Sequence, residues 1–238
     1  MINPFVINLA KNETRLGSMR NQLSRLGLGF ERIDAVLGAN LSRMEINKAF
    51  CKIRSFCAMM RKLRVGEIGC ALSHLSVYRK MIDRQIQYAL VLEDDVVLAD
   101  NFIDIVEKAV GALIIDKPMV ILLSALSTSD TFKCAGLQKV KKAWGADAYL
   151  ITLPAAKSIL HANYPIVIPA DQWGTWAGRN IIELYRMWPT VAWQDRAKNG
   201  TEIAVNARPW PIPFRFVYKF FRLVGLMIDE IWYRVSGK

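Results

Sequence analysis

The chain has 238 residues, 53% apolar and 22% charged, and its 32 Lys and Arg against 21 Asp and Glu give a net charge of +11. This composition excludes disordered, collagenous, coiled-coil and low-complexity classes. The length fits one large domain, or a domain with a small extension, that can bury its own core without a disulfide or metal staple.

In chain order, Pro4 to Leu9 is a short apolar run that reads as a buried first strand. Lys11 to Leu26 carries Leu16, Met19, Leu23 and Leu26 at helical spacing, closed by Gly27. Phe30 to Val36 is a second strand, and Ser42 to Val65 a basic, partly docked helical segment. Gly66 to Gln85 is a strong helix with Ile68, Leu72, Leu75 and Met81 on its apolar face. Tyr88 to Leu92 is a continuous apolar strand, which requires cover on both sheet faces. Asn101 to Leu113 is helical, Met119 to Leu123 and Ala148 to Thr152 are strands, and Pro154 opens a helix ending near His161. This alternation predicts an α/β domain with a largely parallel central sheet. Beyond Arg208, Pro209, Pro211 and Pro213 form a stiff connector to an aromatic, basic tail, so the domain boundary is placed near residue 210 (1–210 and 211–238).

No uncharged run approaches the ~18 residues of a membrane span; the longest, 158–170, has 13 residues and includes His161 and two prolines. The opening Met1-Ile2-Asn3-Pro4 has no charged n-region and no cleavage site, so no secretory signal is expected. The cysteines, Cys51, Cys57, Cys70 and Cys134, form no CxxC pair. They are read as core thiols in a reducing compartment, with no zinc site and no His–Cys dyad.

The positive charge is concentrated. From Arg43 to Arg64 there are seven basic residues against Glu45 alone, and Lys133 to Lys142 and the tail after Arg208 form two further clusters. Any one cluster is ordinarily a solvated face. Three clusters interleaved with apolar residues point instead to an anionic partner: nucleic acid, a phosphorylated glycolipid or an acidic membrane surface.

The chemical centre is Glu93-Asp94-Asp95, directly after the Tyr88–Leu92 strand. Ligands of open α/β sheets bind beyond the carboxyl ends of strands. Strand alternation would send Glu93 and Asp95 to one side and Asp94 to the other. Three adjacent carboxylates repel one another unless a cation compensates them, and hard oxygen ligands suit Mg²⁺ or Mn²⁺ bound with a substrate diphosphate. An acid-rich turn or helix N-terminus is the plainer alternative.

Gly66-Glu67-Ile68-Gly69-Cys70-Ala71-Leu72-Ser73-His74-Leu75, followed by Ala89-Leu90-Val91-Leu92-Glu93-Asp94-Asp95-Val96, resembles glycosyltransferase family 25, which includes bacterial lipooligosaccharide and collagen galactosyltransferases. Val6 to Leu9 with Arg15, Phe30 to Val36, Gly145 to Ile151 and Pro169-Ala170-Asp171 resemble other blocks of that family, over roughly residues 4–195. The resemblance implies a GT-A-like Rossmann-type domain, a nucleotide-sugar donor (commonly UDP-galactose), Mn²⁺ or Mg²⁺, and inversion at the anomeric carbon. It also implies that Asp95 is the metal ligand, with Glu93 in the coordination sphere or on a neighbouring base, and that Asp94 meets the ribose. Asn8, Leu9 and Arg15 then lie where the nucleotide binds, and Glu67 and His74, seven apart on one helix face, line the sugar pocket. His74 is equally readable as a packed, hydrogen-bonded histidine. Inversion needs a carboxylate base: Asp171, which is also readable as a helix N-cap, with Asp195 in reserve. The implied acceptor is a lipooligosaccharide core or another anionic glycolipid on the cytoplasmic face of the bacterial inner membrane, with no nucleic acid as partner.

In the tail, Phe214, Phe216, Val217, Phe220, Phe221, Val224, Met227, Ile228 and Ile231 recur at helical spacing between basic residues. That pattern suits an amphipathic interfacial helix on anionic lipid, or a C-terminal helix packed on the domain. Two rivals to the enzyme remain. One is a nucleic-acid-binding protein or metal-dependent nuclease, though no RNP, zinc-finger or helix-turn-helix pattern supports it. The other is an inactive transferase-fold binding module.

Overall fold

The computed structural model describes residues 2–124 and 135–194. Its spine is four short apolar strands: β1 (Phe5–Asn8), β3 (Tyr88–Glu93), β5 (Met119–Leu122) and β7 (Ala148–Thr152). They are almost wholly buried because helices cover both faces of the sheet they form. Alternation divides their side chains cleanly. Phe5, Ile7, Ala89, Val91, Val120, Leu122, Tyr149 and Ile151 face one core, shared with α4 (Val65–Asp83) and α6 (Leu153–Asn163). Val6, Leu90, Leu92, Ile121, Ala148 and Leu150 face the other, shared with α1 (Glu13–Arg25) and α5 (Phe102–Gly111). The result is a three-layer α/β/α sandwich.

The seven-stranded sheet runs β2-β1-β3-β7-β5-β8-β6, with β2 at Glu31–Asp34, β6 at Gly136–Lys139 and β8 at Glu183–Trp188. β4 (Val96–Leu98) and β9 (Ala192–Gln194) pair separately as an antiparallel ribbon. The expected largely parallel sheet is corrected to a mixed one. β2, β1 and β3 are parallel, as are β5 and β8, but β7 enters between β3 and β5 antiparallel to both, and β6 is antiparallel to β8. A fully buried strand is apolar whichever way it runs, so Ala148–Thr152 carries no signal of its direction.

The basic segment expected as one helix is two, α2 (Arg43–Ala49) and α3 (Lys52–Met59). Phe50 is buried and extended (φ −132°, ψ 124°) between them. A parallel bridge holds the break: the Ile166 N–H donates to the Ala49 carbonyl (2.7 Å), and the Cys51 N–H to the Ile166 carbonyl (3.0 Å). Ser42 and Glu45 close the start of α2 as a capping box. Met44 and Ile53 remain exposed on the two helices.

The start of α4 is pressed against the backbone that follows β2. A Cβ on Gly69 would lie 2.5 Å from the Val36 carbonyl oxygen and 2.6 Å from the Gly38 nitrogen, closer than any side chain tolerates. Ser73 Oγ accepts the Val36 N–H at 2.8 Å and donates to the Gly69 carbonyl. The motif read from the sequence is therefore largely a docking device that sets one helix at a fixed height beside β3. The aromatic tail and the boundary near residue 210 lie outside the described residues, among which no helix is long and apolar enough to cross a membrane.

Candidate active site

The carboxyl ends of β1 and β3 lie side by side because the strands are parallel neighbours, with Ile7 opposite Glu93. Asn8, last residue of β1, therefore reaches the acidic turn. Its buried amide donates to the Asp94 carboxylate (Oδ2, 2.6 Å) and to the Asn12 carbonyl (3.1 Å), while its oxygen accepts from Arg32 Nε (3.0 Å). Both ends of the amide are spent on protein contacts, so Asn8 fixes Asp94. Leu9 contributes its backbone carbonyl, which accepts the Asn12 N–H at 2.8 Å and turns the chain into α1. From α1, Arg15 lies 3.5 Å from Asp94 Oδ1 and 3.9 Å from Asp95 Oδ2.

Strand alternation fails beyond Glu93, because β3 ends there and Asp94-Asp95 form a turn leading into β4. Glu93 goes to α4, where its carboxylate lies 3.1 Å from His74 Nε2, and Asp94 and Asp95 both lie within reach of Arg15. The expected separation of Asp94 from Asp95 is corrected accordingly, while Glu93 still acts on Asp95.

One guanidinium is shared by two carboxylates, so the site is electrostatically unfinished. Burial first, then the Glu93 and Asp94 carboxylates, push the Asp95 carboxyl up to about 7 against the opposing pull of Arg15. Burial likewise raises Asp94, although the Asn8 hydrogen bond and Arg15 work against it. Asp95 Oδ1 is buried and has no hydrogen-bond partner among the described residues. Leaving such an atom unmatched costs roughly 1–3 kcal/mol, more when it is charged. A bound cation is the ordinary remedy, and carboxylate oxygens suit a hard one.

Asp171 belongs to the same field. Burial, then Glu93 and Glu67, raise its carboxyl, partly offset by the Gln172 side chain, which donates to it at 3.3 Å. The N-cap of α7 (Trp173–Gly178) is Gln172, so the capping alternative for Asp171 is set aside. Trp173 anchors this loop: its indole Nε1 donates to the Gly145 carbonyl at 2.6 Å, and its ring meets Tyr149 edge-on at 4.9 Å. Glu67 is engaged by Arg61 (2.8 Å) and by the Arg64 N–H (2.8 Å); although burial opposes it, these contacts hold its carboxyl below the usual range. Glu67 is thus fixed at the head of α4. Asp195, the reserve base, lies outside the described residues.

Three residues went unassigned in the sequence. Asp147 is wholly buried, its carbonyl accepts the Glu93 N–H at 2.8 Å, and its carboxylate adds to the repulsion on Asp95. Tyr149 and Tyr78, both buried, extend a chain of polar atoms behind Glu93: Tyr78 OH lies 3.0 Å from Tyr149 OH, which lies 2.7 Å from His74 Nδ1. An acid just before an all-apolar strand, and a tyrosine inside one, were the available signals. Cys70 also departs from expectation: it has a histidine beside it, one helical turn away at His74.

The family model for glycosyltransferase family 25 (LPS biosynthesis protein) matches residues 1–173. The chain belongs to this family. Among curated relatives of family 25, a glycosyltransferase 25 family member of Aedes aegypti is 27% identical over 220 residues, covering 86% of this chain and 34% of the relative. Human procollagen galactosyltransferase 2 is 25% identical over 217 residues, 86% of this chain and 34% of the relative. The inactive glycosyltransferase 25 family member 3 of mouse is 27% identical over 185 residues, 71% and 30%. The chain spans about a third of the length of these relatives. The acidic turn, the α4 motif and Asp171 all fall inside the family-matched span.

Proposed function

We propose that this chain is an inverting hexosyltransferase of GT-A type that moves galactose from UDP-galactose onto an anionic glycolipid acceptor. The observation that carries the reading is Asp95: a half-buried carboxylate with one buried, unmatched oxygen, at the end of a parallel strand pair inside a glycosyltransferase family. Asp95 and Glu93 would hold Mn²⁺ or Mg²⁺, which supplies the charge that stabilises the departing nucleoside diphosphate. Asn8 and Arg15 keep Asp94 aimed towards the nucleotide side, where it meets the ribose. Asp171, raised by burial and by neighbouring carboxylates, takes the proton of the attacking acceptor hydroxyl, since a base tuned towards neutral pH transfers protons best.

The acceptor assignment, a lipooligosaccharide core met at the cytoplasmic face of the inner membrane, is supported by the net charge of +11 and by the exposed basic and apolar residues of α2 and α3. The mouse relative named inactive gives substance to a second reading, a transferase fold kept for binding alone. One experiment separates them. UDP release from UDP-galactose and from a panel of other nucleotide sugars is followed with Mn²⁺, with Mg²⁺ and with a chelator. Cation-dependent release from UDP-galactose supports the transferase. UDP binding by calorimetry without release from any donor would overturn it in favour of the binding module, and release from a different donor would reassign the sugar.

A further inference from the structure

Cys70 and His74 are four residues apart on α4 and so share one face of it, while Glu93 reaches that face from the end of β3. The thiol sulfur, a ring nitrogen and a carboxylate oxygen all lie within 4.8 Å of one another. The transfer reaction outlined above uses neither the thiol nor the imidazole. Thiolate, imidazole and carboxylate form a borderline-soft donor set that suits zinc, whereas Mg²⁺ and Mn²⁺ prefer oxygen alone. Tetrahedral zinc at its ordinary bond lengths sets ligands roughly 3.3–3.6 Å apart. His74 Nε2 and Glu93 Oε1 are already 3.1 Å apart, close to that spacing, with the Cys70 sulfur within 4.8 Å of both side chains.

The histidine is also held as metal-binding histidines are held, by a hydrogen bond on its other nitrogen. Tyr149 OH sits 2.7 Å from Nδ1 and is itself backed by Tyr78. The chain of hydroxyls can run in either direction. With Nε2–H donating to ionised Glu93, Tyr78 donates to Tyr149 and Tyr149 to Nδ1; with Nε2 on a metal, Nδ1–H donates to Tyr149 and Tyr149 to Tyr78. The first state pairs every donor of the chain, and the second turns the Tyr78 hydroxyl hydrogen away from Tyr149. Burial first, then the carboxylates of Glu93, Asp171, Asp95 and Glu67, push the Cys70 thiol up, so a bound cation displaces its proton and answers that negative field. Thiolate and carboxylate together would neutralise a dication in this half-buried place.

We propose that Cys70, His74 and Glu93 form a three-ligand site for Zn²⁺ or a similarly thiophilic dication, separate from the all-oxygen position at Asp95. The site itself does not depend on the transferase reading; its consequence does, because the two positions draw on the same Glu93 and zinc would compete with the donor-site cation for it.

The test titrates Co²⁺, a spectroscopic stand-in for Zn²⁺, into the full reduced, metal-free chain and follows the near-ultraviolet thiolate-to-cobalt band. A band saturating at one equivalent is expected. It should vanish in Cys70→Ala, persist in Asp95→Asn, and need about tenfold more cobalt in Tyr149→Phe, the size of effect typical of an outer hydrogen-bond partner. No band in the wild type, or an equal band in Cys70→Ala, overturns the site. Should Cys70→Ala fail to fold, alkylation of the wild type mapped by mass spectrometry decides. Zn²⁺ should protect Cys70 and leave Cys51 and Cys57 reactive, and equal protection of all three, or of none, refutes it. A cobalt band together with no UDP release from any donor would leave this site standing and remove the transferase reading instead.

Discussion

Two carboxylate sites on this sheet differ in kind. On the rim of β2, Glu31 faces two cations, Lys80 at 2.6 Å and Arg84 at 2.8 Å; although burial opposes it, these partners hold its carboxyl below the usual range. At the end of β3 the ratio is reversed: Asp94 and Asp95 share Arg15 with Glu93 close behind, and burial with repulsion from Glu93 and Asp94 drives Asp95 up to about 7. The first arrangement is complete, since charge is matched within the chain and a solvent-facing pair of this kind contributes little to stability. The second is incomplete, since the fold holds acids together that it does not neutralise. Perturbed carboxyls in such a place mark sites of chemistry more often than sites of stability.

Breaking the incomplete cluster should produce the largest effect. Asp95→Asn is expected to lower transfer by about 10³-fold through loss of cation-assisted charge stabilisation, while its melting temperature without metal rises at pH 8. Turnover within a few-fold of wild type would remove Asp95 from the mechanism. Next comes Asp171→Asn, expected to keep UDP affinity and to lower turnover by about 10²-fold or more. A fall in affinity with turnover preserved would assign it to donor binding, and the reserve base Asp195 would then be tested.

The contrast also has a pH signature. A carboxyl raised from 3.8 to about 7 in the fold keeps a proton that the unfolded chain releases, so its contribution to stability is fully present below pH 3.8 and is lost as pH rises through 7. The metal-free protein should therefore lose stability between about pH 5 and 8, with Asp94 and Asp171, also raised, adding in the same direction. Glu67, held low, acts with the opposite sign, its contribution present above 4.5 and lost as pH falls. Thermal melts of wild type and Asp95→Asn across this window isolate the Asp95 share. Mn²⁺ affinity of the wild type should rise over the same range as the cation displaces the Asp95 proton, and a flat profile would contradict the assignment. The smallest effect belongs to the completed cluster: Glu31→Gln should cost under about 1 kcal/mol in denaturant unfolding and leave turnover unchanged. A loss of activity there would mean that the β2 rim takes part in the site.

Much of this architecture was legible in the chain. Short apolar runs marked β1, β3, β5 and β7, and helical spacing marked α1, α4, α5 and α6, because burial on two faces or one leaves a periodic trace. β4, β6, β8 and β9 were not anticipated, and α7 only as the capping alternative for Asp171. Glu183–Trp188 mixes Glu183 and Arg186 with apolar and aromatic residues in no strict alternation, and its place beside β5 comes from pairing with Met119–Leu122 rather than from its own pattern. The family was readable as well, since the α4 motif and the acidic turn are local strings with fixed spacing, and the match over residues 1–173 agrees with them.

What the sequence determined by itself is therefore the apolar spine strands and the main helices, the acidic turn at a strand end and the excess of positive charge, all properties that neighbours along the chain decide. Only the tertiary structure decided the rest. It set β7 antiparallel in the middle of the sheet, because hydrogen bonds between strands, not side-chain composition, choose direction. It set Asp94 and Asp95 together at Arg15 rather than on opposite sides, because alternation holds only while the strand continues. It brought Cys70 and His74 to Glu93 across a gap of more than eighteen positions, and left one oxygen of Asp95 buried and unmatched. Desolvation and charge repulsion depend on distance through space, and a linear sequence does not contain that distance.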